Sequence, residues 1–457
     1  MSNQAITSRQ VRDVDIGEFL IISNDQKTKK DIPDIITDLY YYESVLQETI
    51  RVDIVYADTG NSVEKDGSLK TIVDGLPLVG QEKTSIKLKD ANNVEIKLDV
   101  YVNRITPLKQ DTTKSLVGLN LVSREGILNY KVVLNNRFDG KISESVSRIL
   151  TDQNYLNTKK KLDIEETSNN FNFTGNQRRP FYACVWLAKK AVSKDVQTGS
   201  GAGYFFFETS EGFKFRSVDG LLSPTEPGSG TGKKKKKLIF NQTPDTTLPA
   251  GYDGKILEHN VNDVGGDIQS KLEIGTYTTR TILFDPFNCY YEVVNPNAKQ
   301  LEKKLKLAGK KLPDLNPEFN RTGVNKDFTR TQYMLIDRGT IPTGDTKQQI
   351  EKSKEPNFDP KNILNQSSMR YNQLFNTKTE ITIFADFSLH AGDLVEIEYP
   401  ELSNKTTQEL NNNFGGDYII ADLCHYISKT TGGFTKLTLV RDAIGKKGDP
   451  WGIYKPL

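Results

Sequence analysis

Alternating apolar and polar residues mark the first part of this chain as a series of short strands. At residues 50–55, Ile and Val alternate with Arg and Asp, which is the period of a strand with one buried face. The same period recurs in three later segments, at residues 84–88, 94–102 and 116–122. Asp-Thr-Gly-Asn at 58–61 and Leu-Val-Gly at 78–80 supply turn residues between them. The pattern predicts antiparallel strands that form a small β-barrel or sandwich, which we place at residues 1–140.

The pattern changes to helical spacing between residues 141 and 225 and then returns to strands. Ser143 is expected to cap a short helix with one apolar stripe, and Pro180 stands at the first position of a second helix. The predicted elements are helices near residues 143–150 and 180–191 and two aromatic strands at residues 204–208 and 213–218. This segment therefore predicts a compact α/β insert.

The second half of the chain alternates polar stretches with further strands. Residues 226–270 have little apolar content and predict an exposed linker, whereas residues 298–360 are rich in Lys, Asn and Pro and predict an extended polar arm. Strand patterns stand at residues 278–284, 289–294, 379–384, 394–399, 418–427 and 434–440. We expect these strands to form a second β-barrel domain at residues 271–445, followed by a tail at residues 446–457.

The two predicted barrels share the order of their elements. In the first, a strand, a glycine turn and a hairpin end on Leu-Asn-Leu-Val at 119–122; in the second, the same order ends on Leu-Thr-Leu-Val at 437–440. Residue identity between the halves is low, so a duplication and a chance similarity of alternating strands are both open interpretations. If each subunit carries two similar modules, three subunits place six of them around one axis.

Length, charge and cysteine content restrict the possible functions. At 457 residues the chain is long enough for two or more domains, and its 61 basic and 59 acidic residues nearly cancel. Cys184, Cys289 and Cys424 lie far apart, without the spacing of a zinc site, and are expected to be buried free thiols. No stretch approaches the roughly 20 apolar residues that cross a bilayer, and no apolar leader follows Met1. We therefore expect folding in a cytoplasm, without a membrane anchor.

Two glycine-rich segments have the composition of nucleotide-binding loops but not their spacing. In GSGTGKKKKK at 228–237, Pro227 stands where a phosphate loop needs its first glycine and Lys234 where it needs Ser or Thr. In the segment at 199–203, Tyr204 takes the place of the third glycine of a dinucleotide turn. We predict no cofactor. The lysine run is expected to be a solvated loop or to contact an acidic partner or passing DNA, and it consists of Lys233, Lys234, Lys235, Lys236 and Lys237.

The residues that usually carry chemistry are scattered. His259, His390 and His425 lack metal-ligand spacing, and His425 is expected to be a core or interface imidazole on a strand. Glu396 and Glu398 share one strand face and form either a solvated rim or a proton-transfer pair. Neither a Gly-x-Ser-x-Gly elbow nor an HExxH motif is present. We predict no catalytic residues, no metal ligands and no enzyme activity.

The C-terminal residues 449–457 are apolar and aromatic at a place where chains usually fray. They either dock on their own domain or anchor in a neighbouring subunit, since Trp and Tyr contribute strongly to interfaces. Trp451, Ile453 and Tyr454 are therefore possible interface residues.

Two segments resemble the central baseplate hub proteins of contractile-tailed, T-even-like bacteriophages. The first is Tyr-Glu-Ser at 42–44, before a Val/Ile strand that ends in Asp-Thr-Gly and is followed by LPLVG at 76–80. The second is the helix FYACVWLAKKAV at 181–192, followed by YFFFET and GFKFRSVD. The lysine run and the polar arm do not map on this family.

The resemblance implies a mainly β fold with an α/β insert and two tail-tube-like β-barrel domains in one chain. It also implies a homotrimer in the virion tail baseplate, joining the sixfold tail tube protein to the threefold spike protein and contacting other baseplate proteins. DNA would pass through its axial channel without sequence-specific binding. Two alternatives remain: the hub of a bacterial contractile injection system, which normally carries its spike in the same chain, and a sugar-binding or sugar-degrading tail protein. The short tail after Ile444 favours a separate spike. A sugar-binding protein should show a clustered Trp/Tyr platform or an acid pair, and with only two Trp, Trp186 and Trp451, this chain offers little.

Overall fold

Strands dominate the computed structural model of this protein, as the hydrophobic pattern predicts. The structure describes residues 14–65, 67–194, 201–223, 236–239, 254–264, 268–286, 289–295, 305–312, 315–319, 328–336, 345–353, 360–375, 377–399 and 414–443. The predicted fold class, mainly β with an α/β insert, is confirmed.

The strands of the described residues are numbered in chain order. They are β1 Asp15–Ile22, β2 Lys29–Asp31, β3 Ile36–Ser44, β4 Arg51–Asp58, β5 Val63–Lys65, β6 Ser68–Lys70, β7 Lys83–Lys89, β8 Glu95–Gln110, β9 Ser115–Ser123, β10 Arg137–Phe138, β11 Leu162–Ile164, β12 Phe173–Thr174, β13 Tyr204–Thr209, β14 Gly212–Ser217, β15 Lys236–Ile239, β16 Ile256–Val264, β17 Thr279–Asp285, β18 Tyr290–Val294, β19 Arg330–Leu335, β20 Thr377–Phe384, β21 Leu394–Glu398, β22 Gly416–Ser428 and β23 Gly432–Arg441.

The α-helices are fewer and mostly short. They are α1 Ile72–Gly75, α2 Arg124–Lys131, α3 Ile142–Thr151, α4 Pro180–Ala188, α5 Val218–Leu221, α6 Ile268–Ile274, α7 Thr346–Ser353 and α8 Pro360–Leu374, with 3-10 turns at Pro33–Ile35 and Pro317–Phe319. None of the described helices combines the length and the apolar character that a bilayer crossing requires.

Thirteen strands form one continuous, curled sheet, to which strands from both halves of the chain contribute. The strands predicted at 278–284 and 289–294 do not join it, because β17 pairs with both β18 and β19 in a separate three-stranded sheet. The main path of the thirteen-stranded sheet runs β16-β20-β23-β22-β3-β4-β9-β8-β7-β1-β2, with β21 beside β22 and β15 beside β21. Alternate residues of each strand are buried, as in β4, where Val52, Ile54 and Tyr56 enter the core. A single apolar core runs along this sheet from the N-terminal strands to β23. The two halves of the chain therefore meet within one sheet, where β3 pairs with β22.

The insert packs α3 and α4 against the β13–β14 hairpin around an aromatic core of its own. Pro180 begins α4, as predicted. Ser143 does not cap α3, because the helix begins at Ile142; its hydroxyl instead accepts a hydrogen bond from the Thr167 amide at 3.2 Å.

Two polar stretches contain strands that the sequence did not predict. Within the predicted linker, β15 pairs in parallel with β21 and buries its Leu238 side chain, and β16 pairs with β20. Within the predicted arm, β19 pairs in parallel with β17. Cys184 is buried as expected, but Cys289 is exposed because it lies in the turn between β17 and β18.

Candidate assembly interface

The sheet contains two sets of six strands with the same arrangement, which we call module 1 and module 2. Module 1 consists of β1, β3, β4, β7, β8 and β9, and module 2 consists of β15, β16, β20, β21, β22 and β23. Their order in the sheet is β3-β4-β9-β8-β7-β1 and β16-β20-β23-β22-β21-β15, so equivalent strands have equivalent neighbours. All pairings inside the modules are antiparallel except that of β15 with β21. Two modules with the same strand order, which differ only in the direction of the outermost strand, thus lie in one chain.

The long strand of each module carries a β-bulge at the same place. The bulge lies between Val102 and Arg104 in β8 and between Ile420 and Asp422 in β22. The residues before the two bulges pair with Leu121 and Leu439 of the closing strands. These are the leucines that the Leu-x-Leu-Val similarity aligns, so the sequence match and the strand register agree.

The backbone next to each bulge also repeats. Val102 donates its amide to the Glu82 carbonyl at 3.0 Å and accepts from the Gln81 amide at 2.7 Å. In module 2 the same two bonds join Ile420 to Asp393 at 3.0 Å and to Gly392 at 2.8 Å. Gln81 and Gly392 both adopt left-handed φ angles, of 76° and 84°. Agreement at this level of detail favours duplication over chance.

The modules are joined by seven antiparallel residue pairs between residues 38–44 of β3 and 422–428 of β22. We call this pairing the intrachain joint. The rings of Tyr40 and Tyr426 stack across it with centroids 4.7 Å apart. Further contacts are the stacking of Tyr41 on His425 and the hydrogen bonds Ser44–Asp422 and Tyr426–Asp38. The joint therefore has both a backbone ladder and an aromatic face.

Glu43 is the buried polar centre of the joint. Its carboxylate accepts hydrogen bonds from the backbone amides of Ala391 and Ser210, each at 2.8 Å, and from the Tyr41 hydroxyl at 2.6 Å. The His390 ring lies 3.2 Å away. Burial raises the pKa of Glu43, but the attraction of His390 and these hydrogen bonds outweigh it and lower the pKa to about 2. Glu43 thus links module 1, the insert hairpin and module 2.

Arg370 of α8 forms a second buried centre. Its guanidinium bridges the carboxylates of Asp219 in the insert and Asp442 after β23, and it also donates to the Lys306 carbonyl of the polar arm. Burial raises the pKa of Asp219 to about 6 although Arg370 opposes this shift. Arg370 therefore ties α8 to three other parts of the chain.

His425 lies at the centre of the intrachain joint and is fully buried, as expected for a core imidazole. Its Nδ1 is 2.8 Å from the Thr435 hydroxyl, and burial lowers its pKa to about 3. The ring is therefore neutral at pH 7 and contributes packing and a hydrogen bond. His259 packs on Tyr399, with ring centroids 4.5 Å apart.

The structure describes only part of the predicted site. Trp451, Ile453, Tyr454, Lys233, Lys234 and Lys235 lie outside the described residues. Lys236 and Lys237 belong to β15 rather than to a solvated loop; Lys236 forms an ion pair with the buried Asp386, and Lys237 with Glu398 at 2.6 Å. The acidic partner of these two lysines is thus their own chain. The ion pair with Lys237 gives Glu398 a structural role.

A cleft of about 820 Å³ lies between module 1 and the insert. Its charged lining includes Lys83, which pairs with Asp99 at 2.8 Å, and Lys160, which pairs with Glu125 at 3.2 Å. No His or Cys lines this cleft. Among the described residues, no three His, Cys, Asp or Glu side chains are arranged to hold a metal ion.

Several strand edges lack a partner strand within the described part of the chain, among them β2, β15, β16 and the end of β8. β16 pairs with β20 on one edge and ends the sheet on the other. Residues 103–110 of β8 extend past the end of β7 and pair only with β9. Here Leu108 is 53% exposed. The sequence pattern predicted this strand only to residue 102, because the later apolar residues are interrupted by Arg104 and Pro107.

Comparison with known proteins supports the fold. No protein-family model matches the sequence, and neither does any curated protein sequence. A solved structure of a tail protein from Neisseria meningitidis MC58 is similar with a TM-score of 0.52 at 8% identity, covering 95% of this chain and 98% of that chain. The 43 kDa tail protein of prophage MuSo2 from Shewanella oneidensis gives a TM-score of 0.49 at 10% identity, covering 93% and 98%. The chain is thus similar in fold to a solved tail protein, in agreement with the resemblance in its sequence.

Proposed function

We propose that this protein is a structural hub of a phage tail baseplate, a homotrimer that adapts the sixfold tail tube to the threefold spike. The observation that carries the proposal is the presence of two modules with one strand order, already paired edge to edge within the chain. Three such chains supply six similar modules, so a trimer can present a nearly sixfold face. The similarity in fold to tail proteins supports a place in the virion tail.

The physical basis is the pairing of strand edges. An open edge is a liability in a monomer because its amides and carbonyls attract other strands. A ring removes this liability by pairing each module with the next one. In such a ring the tail tube protein binds the sixfold face, the spike protein binds the threefold face, and DNA passes along the axis without base-specific contacts.

The same proposal includes the division of the chain into modules and insert. We assign residues 1–140 to the first tube-like domain, 141–225 to the insert and 271–445 to the second domain. The segment 226–270, predicted as a linker, contributes β15 and β16 to that second domain. The insert has an apolar core of its own at residues 142–215, which supports a separate insert, and Leu134 and Phe138 just before it join this core.

We propose a structural role and no enzymatic one, since the proposed function requires only binding to neighbouring proteins of the baseplate. A sugar-binding role is less well supported, because Trp186, the one tryptophan among the described residues, is not presented as an open platform. Trp186 is half-buried, with Phe171 and Phe173 within 5.3 Å of its ring and Arg178 above it. The hub of a bacterial contractile injection system, the other alternative, would use the same trimeric ring of six modules.

The mass of the purified protein tests the trimer. Light scattering behind a sizing column, at micromolar concentration, should give about three times the 51.4 kDa of one chain. Averaged electron-microscope images down the axis should show six similar lobes. A monomeric mass at tens of micromolar would overturn the proposal.

A further inference from the structure

We propose that β16 of one copy pairs in an antiparallel manner with residues 103–110 of β8 in the next copy. This second pairing, which we call the intersubunit joint, rests on the trimer proposed above and specifies the strands and the register that close it. It would repeat between chains the contact that the intrachain joint makes within a chain.

The equivalence of the two modules identifies the strands. In the intrachain joint, the C-terminal half of β22 pairs with β3, beyond the point where β21 ends. The strand equivalent to β22 in module 1 is β8, and the strand equivalent to β3 in module 2 is β16. The C-terminal half of β8 and the outer edge of β16 are among the edges described above. Among the described residues, these two edges, which the equivalence requires, are without a partner strand.

The register of the intersubunit joint follows from the shared bulges. Because the bulges align Arg104 with Asp422, Thr106 corresponds to Cys424, which pairs with Tyr42 in the intrachain joint. Tyr42 pairs with Arg51 of β4. The residue of β20 equivalent to Arg51 is Lys378, because the two pair with Val122 and Val440 of the closing strands. Lys378 pairs with Asp263 of β16, so Asp263 is the equivalent of Tyr42. Thr106 of one copy is therefore placed opposite Asp263 of the next.

A second residue pair follows in the same way. Lys109 of β8 is equivalent to Tyr426 of β22, because they pair with the equivalent residues Leu116 and Phe434. Across the intrachain joint, Tyr426 pairs with Tyr40. The residue of β16 equivalent to Tyr40 is Asn260, which pairs with Glu380 of β20 as Tyr40 pairs with Asp53 of β4. Lys109 thus lies opposite Asn260, with the exposed Glu258 two residues along the same face.

The chemistry of the two edges agrees with this register. Opposite charges at diagonal positions across an antiparallel pair attract, which favours Lys109 beside Glu258. Pro107 has no amide hydrogen, so this joint has fewer possible backbone bonds than the intrachain joint. Proline and a bulge on an edge also discourage pairing with unrelated strands. The intersubunit joint is therefore expected to be weaker and more selective than the intrachain joint.

Disulfide trapping in the full chain tests the proposed register. In a background of Cys289→Ser and Cys424→Ser, Thr106→Cys is combined with Asp263→Cys, and the protein is oxidised mildly and run on a non-reducing gel. We expect covalent dimers and trimers that a reductant reverses, because the two α-carbons face each other in neighbouring strands. Lys109→Cys with Asn260→Cys is the second pair and covers a failure of the first variant to fold.

Matched controls separate register from mere proximity. Thr106→Cys with Leu257→Cys shifts the register by six residues and should give no cross-link. Tyr42→Cys in the presence of the natural Cys424 should form a disulfide inside one chain, which shows that this strand geometry permits the bond. Each single-cysteine variant should remain uncross-linked.

The outcomes distinguish this inference from the proposed function. A trimeric mass with no cross-link from either pair would overturn the joint and leave the trimer standing. A disulfide that forms within one chain, or equal cross-linking at Leu257, would also overturn the joint. A monomeric mass would overturn the proposed function and the joint together.

Discussion

At the residue scale, the most informative side chain is Glu43. A carboxylate without solvent exposure would normally be neutral, because burial disfavours its charge. Here two backbone amides and the Tyr41 hydroxyl donate to it, and His390 lies beside it, so the charged form is the stable one. Since these donors come from three parts of the chain, the charge of Glu43 depends on the correct assembly of all three.

The low pKa of Glu43 predicts a stability that depends on pH. Its folded pKa of about 2 lies below its ordinary value of 4.5, so its contribution is complete above about pH 4.5 and is lost as the pH falls towards 2. The difference corresponds to about 3 kcal/mol as an order of magnitude. Between pH 5 and pH 3, the melting temperature of Glu43→Gln should therefore fall less steeply than that of the wild type.

Glu64→Gln, which removes an exposed carboxylate on β5, is the control and should follow the wild-type pH dependence. Parallel curves for the wild type and Glu43→Gln would contradict the assignment of the pKa shift.

The sequence revealed individual residues only where local pattern decides their position. It predicted Pro180 at the start of a helix and His425 in the core, since neighbouring residues fix both. It drew attention to the Tyr-Glu-Ser segment at 42–44 by resemblance. It did not reveal the partners of Glu43, because Ser210 and Ala391 contribute backbone amides that any residue type could supply. The position of Cys289 was also missed, because a turn exposes it.

At the element scale, strands with one buried face were predictable, and those in polar stretches were not. β4, β7, β9, β22 and β23 follow an apolar alternation that the sequence displays directly. β15 begins with the end of a lysine run, and the alternate residues of β19 are largely exposed. Their pairing depends on backbone hydrogen bonds to distant strands, which leave no local apolar period. The second half of β8 was missed for another reason, because Arg104 and Pro107 interrupt its apolar residues.

The helix α8 provides a prediction at this scale. Its Arg370 is 1% exposed and holds two buried carboxylates, so Arg370→Met leaves Asp219 and Asp442 without a counter-charge. Removing one partner of a buried ion pair costs about 3–5 kcal/mol, and thermal or urea unfolding should show a loss of this order.

Arg148→Met on α3 is the matched control, because Arg148 is 48% exposed and its ion pair with Asp152 is a surface pair. We expect a change below about 1 kcal/mol for this variant. Equal effects of the two substitutions would contradict the role assigned to Arg370.

At the scale of the whole molecule, the main finding is that one chain repeats a six-strand arrangement and joins the two copies through β3 and β22. The sequence showed this repeat only as a shared order of predicted elements and as the Leu-x-Leu-Val similarity at 119–122 and 437–440. Sheet order could not be predicted, because alternation shows which face of a strand is buried but not which strand lies beside it. If the intersubunit joint repeats the intrachain joint, one rule of strand pairing determines both the contact within a chain and the assembly of neighbouring chains.

Hydrogen exchange can test that rule without any substitution. In a lone chain, β16 is an edge strand, so about half of its amides point away from β20 and should exchange quickly. In the proposed ring both edges of β16 are paired, and its amides should exchange as slowly as those of β3, which has a strand on each side. Mass spectrometry of short peptides from the assembled protein measures this difference. β18, an edge strand of the separate three-stranded sheet, is the internal control and should keep fast-exchanging amides. Since assembly alone distinguishes β16 from β18, equally fast exchange in both would show that β16 remains an open edge in the assembled protein.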